Sequence, residues 1–286
     1  MRLVALACCV GSAFALARSS PSSKAKNVDV LKDELMALRV LRFDEDAFPL
    51  LELVQEALGV DSLETLHLLQ PEDFLPAGRA APALAAERSP KRRLELLRHN
   101  LQERWKTSVQ RVAFETQIMP RLVREVVAPT MPGEQFVLYQ RASILRFHLA
   151  WPLVDGENSL PADAKLGALA LLHADGDYGH PSGEVNYWLP LTQAYGSNSL
   201  FAETAPGRAD YSPFVLRYGE LQQWRGHSNR HYSHRNLTPT TRVSFDFRVI
   251  PGSAWREPGA PGGPHERSGF KRESYYAELM LAPTRG

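Results

Sequence analysis

The chain has 286 residues, 44% of them hydrophobic and 23% charged, with a formal net charge of +1 at pH 7. That composition supplies one sizeable core or two modest ones and excludes a collagen-like, wholly disordered or disulfide-scaffold protein. A charge near zero gives no electrostatic case for nucleic acid as a partner, and no apolar run reaches the roughly 20 residues of a membrane-spanning helix.

The chain opens with Met1-Arg2, an apolar stretch from Leu3 to Ala17, and small residues at Ala15 and Ala17 ahead of Arg18. One positive charge, a short apolar run and an A-x-A spacing predict a signal or targeting peptide over 1–17, followed by a flexible linker over 18–28. The expected destination is the secretory pathway or secretion, with a plastid reached through a bipartite leader as the alternative. Cys8 and Cys9 are the only cysteines and both lie in this leader, so the mature chain is expected to lack disulfides and thiolate ligands.

Residues 29–130 read as helical. Val30, Leu31, Leu35, Leu38 and Val40 recur at helical spacing, and 48–58 and 62–69 repeat the pattern. Residues 71–90 are rich in Ala and Pro and predict a loop. Residues 91–112 predict a long amphipathic helix whose Lys91-Arg92-Arg93 run is a solvated start. The pattern continues over 113–127, with Pro120 kinking that helix or starting a new one.

From Gln135 the period changes to two. Short β-rich runs fall at 135–139, 143–149, 165–173, 184–189, 199–203, 213–217 and 241–250, with a further strand near 221–224. Residues 131–251 therefore predict a sandwich or jelly-roll barrel, and the chain as a whole an α+β fold. A Gly/Pro-rich tail over 252–286 follows, in which 270–281 returns as a strand or short helix.

The chemistry concentrates in the β half. His173-Ala174-Asp175 stands at the end of an apolar run, where residues i and i+2 of a strand share a face. His231 follows 58 residues later, Arg242 eleven beyond it, and Ser244 two further on the same strand face. Two His and one carboxylate on one side of a metal leave three positions open, the facial triad of non-haem Fe(II) oxygenases. The open positions suit O₂ and 2-oxoglutarate. The far carboxylate of that keto acid calls for a planar guanidinium such as Arg242, with Ser244 adding a hydrogen bond. Competing ligands are present: Asp177 and His180 follow the H-x-D, and His227 and His234 flank His231. Spacing to Arg242 along the strand favours His231, which is expected at the start of the last strand. His180 is expected at the site mouth or on substrate. Asn236-Leu237-Thr238 is a formal glycosylation sequon, but Pro239 follows it and the metal site is expected nearby, so its use is not expected.

The stretches HADGDYGHPSGEVNYWLPLTQAYGSNSLFAETAPG, YGELQQWRGHSNRHYSHRN and TRVSFDFRVIP resemble the streptomycin-biosynthesis StrG-like branch of the 2-oxoglutarate/Fe(II) dioxygenase superfamily, which also holds the phytanoyl-CoA hydroxylases. The resemblance runs over about 136–251, with weaker hints at 114–130, and does not cover the helical region before 112. It implies a double-stranded β-helix (cupin-like) fold, iron(II) on His173, Asp175 and His231, and 2-oxoglutarate on Arg242. Here the distal metal-ligand segment reads Ser228-Asn229-Arg230-His231-Tyr232, with extra histidines on either side. Related halogenases carry a small residue where Asp175 stands, so the acid argues for hydroxylation or desaturation.

Further candidates are softer. Tyr139 lies on an opening strand and is a 2-oxoglutarate candidate. Arg146 alternates with Leu145 and Phe147: pointing inward it needs an anionic partner such as 2-oxoglutarate or an acidic substrate, and otherwise it faces out from an edge strand. Glu184, Asn186 and Trp188 share one strand face. If that face is interior, Asn186 hydrogen-bonds 2-oxoglutarate and Trp188 walls the site; if not, they are surface residues. The expected reaction hydroxylates a C–H bond of a small, sugar-like metabolite and releases succinate and CO₂. The alternatives are another cupin-type metalloenzyme, an isomerase or a cofactor-independent dioxygenase, or a non-catalytic cupin-fold binding protein. A peptide or protein side chain is the alternative substrate.

Overall fold

The structure is a computed structural model and describes residues 38–74, 90–151 and 169–281. The expected targeting peptide (1–17), the linker (18–28) and the helical pattern at Val30, Leu31 and Leu35 lie outside these residues. So do most of the 71–90 loop, the first part of the expected 165–173 strand and the last five positions of the tail.

Two antiparallel sheets carry the fold. The larger has the order β1 (Arg39–Arg42), β7 (Glu220–Trp224), β4 (Val185–Pro190), β9 (Arg242–Pro251), β2 (Phe136–Gln140), β10 (Tyr276–Met280), and β3 (Ile144–His148) also pairs with β9. The smaller runs β6 (Ser212–Pro213), β5 (Leu200–Ala202), β8 (His231–Ser233). β9 is central: β4 lies along one edge, while β3 and β2 share the other. Among the described residues the strands do not close into a barrel; the larger sheet ends on β1 and β10.

Strand alternation sorts β9 into two faces. Val243, Phe245, Phe247 and Val249 join the main apolar core with Leu145, Phe147, Val185, Tyr187 and Leu189. Arg242, Ser244, Asp246 and Arg248 take the other face. Directly paired residues share a face, so His148 (opposite Arg242), Arg146 (opposite Ser244), Trp188 (opposite Asp246) and Asn186 (opposite Arg248) join them there.

Helices cover the apolar face. They are α1 (Leu50–Leu58), α2 (Pro90–Thr107), α3 (Val109–Ala113) and α4 (Met119–Leu122), with π-helical turns at Phe114–Ile118 and Val123–Val127. Leu94, Leu97, Leu101 and Trp105 recur every three or four residues and form the buried stripe of α2. Phe245 stacks on Phe114 with centroids 4.3 Å apart and meets the edge of Trp105 at 5.7 Å, which ties β9 to the helical layer. Pro120, in the first turn of α4, contributes no N–H to the ladder.

One expectation is corrected. The helical spacing through Leu38 and Val40 does not produce a helix at 39–42. That segment pairs as edge strand β1 with β7, Arg39 opposite Gln223 and Arg42 opposite Glu220, so a long-range ladder overrides local periodicity. Within 252–286, the expected return of 270–281 takes the form of a strand: Tyr276–Met280 forms β10 and pairs in register with β2. The sequon residue Asn236 is buried and donates its side-chain amide to the His148 carbonyl at 2.9 Å and the Thr240 carbonyl at 2.8 Å, leaving no access for a glycan.

α1 has a long-range cap. Its N-cap residue, Pro49, gives no side-chain cap. The Tyr218 hydroxyl instead accepts the Leu50 N–H at 2.8 Å and the Leu51 N–H at 3.2 Å, and donates to the Phe48 carbonyl at 2.8 Å. Tyr218→Phe is expected to lower unfolding free energy by about 1–2 kcal/mol in urea melts, since it strips the hydroxyl but keeps the ring.

Candidate metal and keto-acid site

The site begins with backbone pairing. His173 N–H donates to the His231 carbonyl at 3.1 Å, and His231 N–H donates to the His173 carbonyl at 2.8 Å. These reciprocal bonds bring two segments 58 residues apart side by side, with the imidazole centroids 4.2 Å apart. On β8, His231 and Ser233 face inward, while Tyr232 faces out and stacks on Phe201. Asp175 opens a 3₁₀ turn, Asp175–Tyr178, with its own N–H held by the Gly226 carbonyl at 2.9 Å.

Three side-chain atoms then converge. Asp175 Oδ1 lies 3.7 Å from His173 Nε2 and 3.6 Å from His231 Nε2. Nδ1 of His173 meets the Leu171 carbonyl at 2.6 Å, and Nδ1 of His231 meets the Asn229 carbonyl at 3.0 Å. A carbonyl only accepts, so each Nδ1 carries a proton, and it is Nε2 of each ring that faces the shared centre. Burial pulls the His231 imidazole down to about 4, against the raising effect of Asp175, so it is neutral at physiological pH. Burial alone would raise the Asp175 carboxyl, but Arg248, then His231 and His180, and the Asn186 hydrogen bond hold it well below the usual carboxylate range. Two imidazoles and one carboxylate form a donor set suited to a divalent metal ion.

Arg242 lines the same cavity as the three donors. It is buried, with Nε donating to the Asn198 carbonyl at 2.9 Å, Nη1 to Ser244 Oγ at 2.8 Å, and Cζ 5.1 Å from the Trp188 ring centroid. Among the described residues no carboxylate pairs with it. Burial, with Arg146 nearby, pulls its pKa down to about 9, and it remains a cation at neutral pH. A buried guanidinium without an acidic partner creates a place for an anion.

No family model matches the chain. The streptomycin biosynthesis protein StrG of Streptomyces griseus is 30% identical over 216 residues, which cover 75% of this chain and 85% of StrG. The chain belongs to the StrG family. Looser likenesses among solved structures include a nickel complex of the non-haem monooxygenase ThoJ, at 14% identity and TM-score 0.42 over 77% of both chains. Another is the non-haem alpha-ketoglutarate-dependent epimerase SnoN of nogalamycin biosynthesis, at 13% identity and TM-score 0.41 over 84% of this chain and 95% of SnoN.

Most of the competing residues turn to other partners in this StrG-family fold. Asp177 turns back to accept the Ala174 N–H at 3.1 Å and pairs with Arg230 at 3.5 Å. His234 packs on Phe201 and Tyr232, on the outer face of β8. The His227 carbonyl accepts the Gly176 N–H at 3.0 Å, and its ring packs against that glycine. His180 pairs with Glu184 at 2.8 Å and lies 3.7 Å from the Phe270 ring; it is not at the cavity mouth, but with Glu184 and Asp175 it makes a second acid–imidazole cluster that shares Asp175 with the first. His231 does not begin the last strand, as expected: it stands on its own short strand, and 234–241 carry the chain across to β9 in the other sheet.

Other expected positions fall differently. Tyr139 does not reach the cavity, because it lies opposite Val249 and so on the apolar face of β2. Asn186 reaches the cavity wall, but its Nδ2 donates to Asp175 Oδ2 at 2.7 Å and its Oδ1 accepts the Gly226 N–H at 2.9 Å. It therefore grips Asp175 and is not turned toward a keto acid. Arg146 does point inward, and its anionic partner is Asp246 at 2.5 Å. Trp188 walls the cavity as expected. Asp246, Arg248 and Trp224 also line it and were not anticipated. The alternation Arg242-x-Ser244-x-Asp246-x-Arg248 in an otherwise apolar strand was the signal for the first two.

Ligand choice has a direct test. In nickel(II) titrations followed by calorimetry, His173→Ala, Asp175→Ala and His231→Ala are each expected to weaken binding by more than about 100-fold. His234→Ala is expected to bind nickel like the parent.

Proposed function

We propose that this StrG-family chain is a non-haem iron(II), 2-oxoglutarate-dependent oxygenase that hydroxylates a C–H bond of a small, sugar-like metabolite. The observation that carries this reading is the placement of a two-imidazole, one-carboxylate donor set and an unpaired, buried Arg242 in one cavity. The two sheets around that cavity are, in this reading, the two halves of a double-stranded β-helix.

Iron(II) and 2-oxoglutarate, when bound, supply the oxidation: the keto acid becomes succinate and CO₂, and one oxygen atom of O₂ enters the substrate C–H bond. The protein binds, orients and shields. His173 Nε2, Asp175 Oδ1 and His231 Nε2 would hold the metal, which would supply the binding positions for the keto acid and O₂. The planar fork of Arg242 meets the far carboxylate of the keto acid, while the Asn198 carbonyl and the Trp188 ring fix the guanidinium in place. Leu169, Leu200, Trp188 and Trp224 give the cavity apolar walls that exclude water from the reacting centre. Arg146, whose side chain is 37% exposed, faces substrate from the cavity rim with its charge already matched by Asp246. An acid at position 175 occupies the place a halide would need and supports hydroxylation. A cupin-type isomerase would have no use for a buried Arg242 with no carboxylate in direct contact, and a pure binding protein no use for two imidazoles whose Nε2 atoms face one carboxylate oxygen.

Anaerobic addition of iron(II) and 2-oxoglutarate is expected to produce the visible charge-transfer absorption of the keto-acid chelate. A folded, metal-loaded protein without that band would overturn the reading. Arg242→Ala is expected to raise the 2-oxoglutarate requirement by roughly 100-fold or more, as loss of a buried ion pair does, with iron binding nearly intact. Equal loss of iron would mark Arg242 as structural.

A further inference from the structure

Asp175 offers two carboxylate oxygens, and the structure treats them differently. Oδ1 is the oxygen that faces both imidazoles. Oδ2 accepts three N–H groups: Asn186 Nδ2 at 2.7 Å, Arg248 Nη2 at 3.0 Å and Arg248 Nε at 3.2 Å. A carboxylate oxygen has two in-plane lone-pair directions, so three donors saturate it.

The donors are themselves held. Asp175 N–H donates to the Gly226 carbonyl, Gly226 N–H donates to Asn186 Oδ1, and Asn186 Nδ2 returns to Asp175 Oδ2, a closed ring of hydrogen bonds at 2.9, 2.9 and 2.7 Å. A Cβ on Gly226 would stand 2.5 Å from Asn186 Nδ2, so only glycine permits this approach. Arg248 is buried on β9, and its Nη1 reaches Asp246 Oδ1 and Gln140 Oε1, each at 3.2 Å. Every donor that touches Oδ2 thus comes from a side chain pinned on both sides.

We propose that Arg248, assisted by Asn186, is a positioning residue that restricts Asp175 to one metal-binding oxygen and so keeps an extra coordination position free for the keto acid. The inference rests on the metal and 2-oxoglutarate reading above. If Oδ2 were released, the carboxylate would grip the ion with both oxygens and take a position that the keto acid needs. Metal binding and keto-acid binding would then part company, which a merely structural arginine would not cause.

The test compares the parent chain with Arg248→Met, Arg248→Lys and Asn186→Ala. Circular dichroism and thermal midpoints report folding. Calorimetry with nickel(II) gives metal affinity, and a second titration of the nickel-loaded protein with 2-oxoglutarate gives keto-acid affinity. The expected result for Arg248→Met is nickel affinity equal to or tighter than the parent, with 2-oxoglutarate affinity lower by about 10-fold or more. The cobalt(II)-loaded form is expected to show altered visible ligand-field bands. Arg248→Lys should recover part of the keto-acid affinity, and Asn186→Ala, a smaller change that spares the charge network, should show the same split to a lesser degree. Unchanged 2-oxoglutarate affinity in folded Arg248→Met overturns the proposal. So does a parallel fall of nickel and keto-acid affinity in Asn186→Ala. Failure of the parent to bind nickel or 2-oxoglutarate would instead sink the oxygenase reading itself.

Discussion

The structure depends on one strand with two incompatible faces. Along β9 the odd-numbered side chains are Val, Phe, Phe and Val, and the even-numbered ones begin Arg, Ser, Asp, Arg. The apolar set needs a cover, and the helices supply it through Trp105 and Phe114. The charged set needs partners, and the strands on either side supply Arg146, Asn186 and Trp188 in register. A slip of one residue would invert both faces together, placing guanidinium groups among the helices. The register of β9 therefore fixes the core and the cavity at once.

Charge matching explains why so polar a cavity is tolerated inside a small fold. Arg146, Asp246, Arg248 and Asp175 form a chain of alternating sign, linked at 2.5, 3.2 and 3.0 Å. Each member offsets the desolvation of the next, and hydrogen bonds from Asn186 and Gln140 meet the remaining polar atoms. Arg242 stands outside the chain, on the same strand face, with only neutral partners. The cavity thus separates a directly paired region, next to the clustered imidazoles, from a single cation that has no carboxylate in contact and feels Asp246 only at longer range.

The chemistry-bearing residues were more legible in the sequence than the architecture around them. His173-Ala174-Asp175 carries its own geometry in two residues of backbone, and Arg242-x-Ser244 likewise depends only on strand period. Among three clustered histidines, spacing to Arg242 favours His231; that choice agrees with the geometry although the two residues lie in different sheets and not on one strand. What was hidden depended on distant partners. Arg39–Arg42 reads as helix until β7, some 180 positions away, supplies the ladder. Tyr139 was misjudged because its face follows from its register against Val249, which no local pattern reveals. Asn186 lay on the inward face as expected, but its role followed from how near Asp175 would sit. Arg248 was overlooked although the alternation marked it, because a metal ligand's own partners leave no spacing motif.

The two outer strands of the larger sheet come from opposite ends of the described chain, β1 at its beginning and β10 near its close, and neither pairs with a sequence neighbour. β1 waits for a partner made after residue 219, and β2 gains its outer neighbour only once residue 280 exists. During synthesis β1 and the outer side of β2 must therefore persist unpaired until those later segments emerge. Removal of Tyr276–Met280 would expose the backbone of β2 as a raw edge.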